Sequence, residues 1–197
     1  MPAGDFITGD QLATQVGLTA GTAFNSDAGW LKFSLDYKTL YVAKRPFRRS
    51  VSWDQINARG AVFGDTQVEI NGKLYKVRLL KGRGDELTTS ISNGYDTQPT
   101  HNSEWNRLMY HVSGTPFANA SNTLASEGIT EGDWAQFSES ELLTYHASGT
   151  GGYSLCQDQA DTTRCARGVY GVSYIRGIDR TSTAITLAWR PCLELVE

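Results

Sequence analysis

Ala188-Trp-Arg-Pro-Cys-Leu-Glu-Leu-Val-Glu197 closes the chain, and Cys165-Ala-Arg-Gly-Val-Tyr-Gly-Val-Ser-Tyr-Ile-Arg-Gly177 precedes it across a polar stretch. A chain end this apolar and aromatic is expected inside a sheet, because free termini fray and are built of polar residues. Working upstream, residues 153–156, 169–175 and 183–189 read as strands, with 192–196 as the last.

The strongest local signal lies further back, in Thr66-Gln-Val-Glu-Ile-Asn71-Gly72-Lys-Leu-Tyr-Lys-Val-Arg-Leu-Leu80. Asn-Gly between alternating runs predicts a two-residue hairpin turn, since both turn residues need positive φ. That register pairs Ile70 with Lys73, Val68 with Tyr75 and Thr66 with Val77. Val68, Ile70, Tyr75, Val77 and Leu79 then form one apolar face. Trp30-Leu-Lys-Phe-Ser-Leu35 alternates in the same way, turns at Asp36-Tyr-Lys38 and pairs with 39–43.

Helical signals are short. Asp10 is the expected N-cap of a helix carrying Leu12, Ala13 and Val16 and stopped by Gly17. Ser52 and Gln55 form a capping box, with Ile56 on the face of Trp53 and Gly60 beyond; Ser138 and Glu141 form another. Ser103 precedes Trp105, Leu108, Met109 and Val112, spaced as one helix face. Residues 82–102 and 113–133 are polar and glycine-bearing and read as loops. The expected fold is α+β, mainly β and loop-rich, with a few short helices.

Length and composition fit one domain, or one domain with an appendage: 197 residues with 40% hydrophobic content can bury a core. With 18 basic against 21 acidic residues interspersed, only Lys44-Arg-Pro-Phe-Arg-Arg49 forms a basic cluster, which argues against nucleic acid as a partner. No apolar run approaches the length of a membrane helix, so no membrane insertion is expected. Met1-Pro-Ala-Gly-Asp-Phe6 lacks a signal-peptide pattern, and folding is expected in a cytosol.

Candidate chemistry is sparse. Cys156, Cys165 and Cys192 have neither CxxC nor Cys/His metal spacing. They read as three reduced, buried thiols, with a Cys156–Cys165 bridge as the alternative. His101, His111 and His146 stand in unrelated segments without triad spacing. Gly149-Thr-Gly-Gly152 lacks the Lys-Ser/Thr of a phosphate loop. Arg83-Gly-Asp85 is too short to carry weight, and Asp158, Asp161 and Asp179 miss the calcium-loop spacing. No cofactor, metal or catalytic set is expected. Tyr95, Tyr145, Tyr153, Tyr170 and Tyr174 are candidates for a sugar-stacking or protein-binding surface.

The stretch from Arg164 to Gly168, Ser173-Tyr174 and Trp189-Arg-Pro191 resembles the closing segment of C-type-lectin-like folds, nearest to the formylglycine-generating-enzyme-like version. The Lys44–Trp53, Ile70–Leu80 and Ser103–Tyr110 stretches, and 7–33, are similar to structural proteins of tailed bacteriophages. The resemblance implies a C-type-lectin-like domain over 51–197, carried behind an N-terminal docking segment over 1–50. It departs from its relatives at their chemistry. Cys165 and Cys192 match no copper-binding cysteine pair, and Gln98-Pro-Thr100 lacks the acid of the calcium-dependent sugar motif.

The implied function is a non-enzymatic virion structural protein, made in the host cytoplasm, in the tail, baseplate or neck. Its partners would be other virion proteins and further copies of itself, with docking through Trp30, Phe47, Arg48 and Arg49. The alternative is a tail-fibre adhesin for host cell-surface glycan. Tyr95 and Tyr153 are its stacking residues, and the loops at 82–102, 113–133 and 149–163 its binding surface.

Overall fold

The computed structural model describes residues 1–83, 91, 93–95, 103–113 and 136–196. Two sheets dominate them, numbered here in chain order. The five-stranded sheet runs β2 (Trp30–Leu35), β3 (Lys38–Ala43), β12 (Cys192–Leu195), β6 (Lys73–Arg78) and β5 (Phe63–Ile70), antiparallel throughout. The seven-stranded sheet runs β1 (Thr22–Ala23), β4 (Arg48–Arg49), β11 (Leu187–Trp189), β8 (Tyr153–Gln159), β9 (Thr163–Gly168), β10 (Tyr174–Asp179) and β7 (Gly94–Tyr95). Only β8 and β11 pair in parallel. With short helices added, this is an α+β fold made mainly of β structure.

The chain's last strand is the keystone of its sheet. Residues 192–194 pair with β3 and 192–195 with β6, so β12 joins two hairpins from the first half of the chain. A boundary at residue 50 does not divide this fold. β2 and β3 lie in one sheet with β5, β6 and β12, while β1 and β4 form an edge of the other. Strand pairing and one shared core bind residues 1–50 to the rest.

Both hairpins form as their turns dictate. Asn71 and Gly72 take φ of 51° and 74°, and the predicted Ile70–Lys73, Val68–Tyr75 and Thr66–Val77 pairs all occur. Asp36 and Tyr37 take φ of 50° and 64°, closing β2 onto β3 without glycine. Helix α1 (Gly9–Val16) starts two residues earlier than expected, with Thr8 rather than Asp10 as the cap. The reason is a better local partner: Thr8 Oγ1 accepts from Gln11 N while Gln11 Oε1 accepts from Thr8 N, which makes a full capping box. Asp10 then sits in the first turn, where the helix dipole favours it. The boxes at Ser52–Gln55 and Ser138–Glu141 form as expected, opening α2 (Trp53–Asn57) and α3 (Glu139–Leu142).

The five-stranded sheet is covered on both faces. On one, Tyr75, Val77 and Leu193 join α1 and the inner face of the seven-stranded sheet, including Tyr153, Leu155 and Trp189. On the other, Phe33, Leu40, Val42 and Cys192 join the helical segment after Ser103, whose Trp105, Leu108, Met109 and Val112 are buried as predicted. Its central turn, Asn106–Tyr110, is π-helical.

The C-terminal strands differ from expectation. Residues 169–173 form a turn rather than a strand, because Gly168, Val169 and Gly171 take φ of 96°, 73° and 133°. β11 covers only Leu187–Trp189 of the expected 183–189. The polar-looking Thr163–Gly168 is a strand, and its arginines turn inward: Arg167 has no exposed surface and Arg164 is 5% exposed. Cys156, Cys165 and Cys192 are free and buried, so no Cys156–Cys165 bridge is present.

Candidate binding surfaces

The residues expected to dock a partner are brought together, but on the inside. Trp30 is 2% exposed and Phe47 wholly buried; their rings meet edge to face at 5.1 Å, and the Trp30 indole donates to Ile7 O at 2.8 Å. An indole already hydrogen-bonded in the core offers nothing to a partner. Arg48 is half-buried and bonds backbone, donating to Ala20 O at 2.8 Å and Gly21 O at 3.1 Å. Arg49 stacks over Phe24 at 5.1 Å and keeps some surface. Of the four, only the two arginines reach solvent, and one of them is occupied in tying down a turn.

The tyrosines divide in an informative way. Tyr153 begins β8 beside Gly168 and is 2% exposed, so it is a floor rather than a stacking face. Above it, Tyr174 lies with ring centroids 6.4 Å away, and Tyr170 meets Tyr174 edge to face at 4.9 Å and 86°. Tyr170 is 48% exposed. Tyr145, also exposed, bridges the backbone of Val169 and Tyr170. Exposed Arg176 holds its guanidinium 5.5 Å over the Tyr153 ring and donates to the Tyr153 hydroxyl at 3.4 Å. Burial raises the Tyr153 phenol above its usual pKa, so this hydroxyl stays neutral and can accept from Arg176. The backbone of Tyr95 pairs with Tyr174 across β7 and β10. The predicted loop at 149–163 contains β8, and most of 82–102 and 113–133, with His101, lies outside the described residues.

Glu139 pins this surface from beneath. Glu139 is 3% exposed; Oε1 accepts from Val172 N at 2.6 Å, while Oε2 has no hydrogen-bond partner among the described residues. Burial pushes its pKa up to about 7, against the pull of the Val172 amide. The turn carrying Tyr170 is thus held by a buried acid as well as by Gly171 N donating to Thr144 O at 3.1 Å.

A second feature, which sequence reasoning missed, is a charged groove of about 460 Å³ over the outer face of β3, β12 and β6. Arg78, 5% exposed, is its centre: it reaches both Glu104 oxygens at 2.7 and 2.8 Å and Glu194 at 2.9 Å. Lys38 adds a second cation on Glu194 at 2.9 Å, and Arg107 pairs doubly with Asp36 at the rim. Burial opposes the charge on Arg78, yet the two carboxylates hold its pKa above the usual arginine value. Burial likewise works against the Glu194 carboxylate, but Lys38 and Arg78 outweigh it and hold its pKa low. The only signal in the sequence was alternation, which places Arg78 opposite Val77 and Glu194 opposite Leu193.

Among the described residues no three of His, Cys, Asp and Glu gather as a metal site, and no helix is long and apolar enough to cross a membrane. His146 Nδ1 lies 2.7 Å from Ser148 Oγ in an exposed turn. Compared with known proteins, the chain matches no family model, no curated protein and no solved structure.

Proposed function

We propose that this chain is a non-enzymatic structural protein of a tailed-bacteriophage particle, a multi-copy tail, baseplate or neck component built on a C-type-lectin-like body. The reading rests on the sequence resemblance, and one structural observation carries it further. The arginines of the Arg-Gly…Trp-Arg-Pro signature are internal clamps. Arg190 donates to Ser154 Oγ, Lys44 O and Leu142 O, and Arg167 to Asn106 Oδ1 at 2.6 Å and Gly82 O at 3.2 Å. Signature residues spent on fastening distant segments serve a rigid scaffold, and a scaffold is what a particle component requires. Arg49 is the remaining docking candidate from the basic cluster. Mass spectrometry and labelled microscopy of purified particles test the proposal: the chain is expected at a fixed multiple per particle, and its absence from them overturns it.

The second reading, a receptor-binding protein for host cell-surface glycan, is favoured by the exposed tyrosines beside Arg176. It predicts that the purified chain binds host cells and blocks infection, whereas a buried connector does neither.

A further inference from the structure

We infer that Tyr170 and Arg176, backed by Tyr174, form a binding site for an acidic sugar, with the pyranose ring on the exposed Tyr170 side chain and its carboxylate on the Arg176 guanidinium. The inference rests on the receptor-binding reading and gives that reading its ligand class.

In the groove around Arg78 the acids Asp36, Glu104 and Glu194 each have a cation within hydrogen-bonding distance, so the guanidiniums of Arg78 and Arg107 are both engaged by carboxylates. Arg176 is the reverse case. Among the described residues no carboxylate pairs with it; its contacts are the Tyr153 ring and hydroxyl, and the charges and dipoles acting on it come from Tyr153, Tyr174 and Tyr170. One of its five N–H donors is engaged at 3.4 Å, and the planar fork that suits a carboxylate remains exposed. Stacking over Tyr153 fixes where that fork sits.

The aromatic half of the site is preorganised. Tyr170 projects from a turn held by Val172 N on Glu139 and by Tyr174 N on Gly171 O at 3.0 Å. Its edge-to-face contact with Tyr174, at 4.9 Å and 86°, fixes the Tyr170 ring against the sheet. An acidic peptide is the competing ligand, and the strand edge argues against it. β7 already pairs with Tyr174 and Ile175, and Asn93 Oδ1 accepts from Gly177 N at 3.1 Å. The β10 edge beside Tyr174 is therefore already paired and does not offer its backbone to an added strand.

The test is retention of the purified chain on polygalacturonate, alginate and polysialic acid, each beside its carboxyl-reduced, neutral form, with polyglutamate as the peptide control. Retention on at least one acidic polysaccharide is expected. It should fall by about tenfold or more on carboxyl reduction, in Arg176→Gln and in Tyr170→Ala. Both side chains are exposed, and near-UV circular dichroism establishes that the variants fold. Retention on none of the three, retention unchanged by either substitution, or equal retention on polyglutamate overturns the assignment. If the wild-type chain and both variants bind host cells alike, receptor binding stands and this site falls. Loss of cell binding in the wild type removes the receptor reading itself.

Discussion

Arg190 Nε donates to Ser154 Oγ at 2.9 Å inside the core, and every other acceptor of this guanidinium is a backbone carbonyl: Ala43, Lys44 and Leu142. Burial lowers its pKa to about 9, which still leaves it charged at neutral pH. A buried cation with neutral partners is held by their dipoles and by the Trp105 ring, 5.5 Å from the guanidinium, with no carboxylate among its hydrogen-bond acceptors. It joins the β11–β12 corner to β8, to the end of β3 and to α3.

Arg190→Ala should therefore strand four acceptors at once. At about 1 kcal/mol for each lost donor, a loss of roughly 3–5 kcal/mol is expected, against about 1 kcal/mol for Ser154→Ala. Urea unfolding at constant m-value measures both. Equal effects of the two substitutions would mean that the carbonyl contacts contribute nothing.

The three cysteines give a sharper chemical expectation. Cys156, Cys165 and Cys192 have no exposed surface, and burial pushes the Cys192 thiol up to about 12 and the Cys156 thiol well above its usual value. A thiol that is neither accessible nor ionised does not react with an aromatic disulfide reagent. The native chain should release no chromophore until denaturant is added, then the equivalent of three thiols. Only one reactive thiol after unfolding would reveal a Cys156–Cys165 bridge instead.

Gly82 packs against this thiol pair. A Cβ there would stand 2.6 Å from Cys156 Sγ and 2.7 Å from Cys165 Sγ, inside any real contact distance. Gly82→Ala should cost about 1–3 kcal/mol through overpacking, and pairing it with Cys165→Ala should recover part of the loss. Strict additivity in thermal denaturation of the double variant would mean that the two sites do not touch.

What was legible in the sequence was local. The Asn71-Gly72 hairpin and the Ser52 and Ser138 capping boxes depend on residues two to three apart, and each formed in the predicted register. The burial of Trp30 and Phe47 is not local: Phe47 stands beside Arg48 and Arg49 in the sequence, and only the folded chain brings Trp30 against it. The groove was invisible because Lys38, Arg78, Glu104 and Glu194 come from four separate segments. The tyrosines were recognised by type. Which of them is floor and which is face depends on the β8–β9–β10 pairing and on the turn at 169–173.

Two buried carboxylates should bend the stability–pH curve in opposite directions. Glu139 has its folded-state pKa raised from 4.5 to about 7 by burial, so its neutral form belongs to the fold. Its contribution is fully present below the unfolded value and lost as pH rises through about 7, a loss of about 3 kcal/mol at most. Glu194 has its pKa lowered: burial opposes this, but Lys38 and Arg78 prevail. Its contribution is present above the unfolded value of 4.5 and disappears as pH falls through the folded one. Denaturant midpoints should therefore be highest near pH 4.5, declining as pH rises from about 4.5 to 7 through Glu139 and as it falls toward pH 3 through Glu194. Glu139→Gln keeps a carbonyl for the Val172 amide and should flatten the alkaline limb alone, while Glu194→Gln should flatten the acid limb alone. An alkaline limb that survives in Glu139→Gln would assign it to another group and overturn the titration of the acid beneath the turn bearing Tyr170.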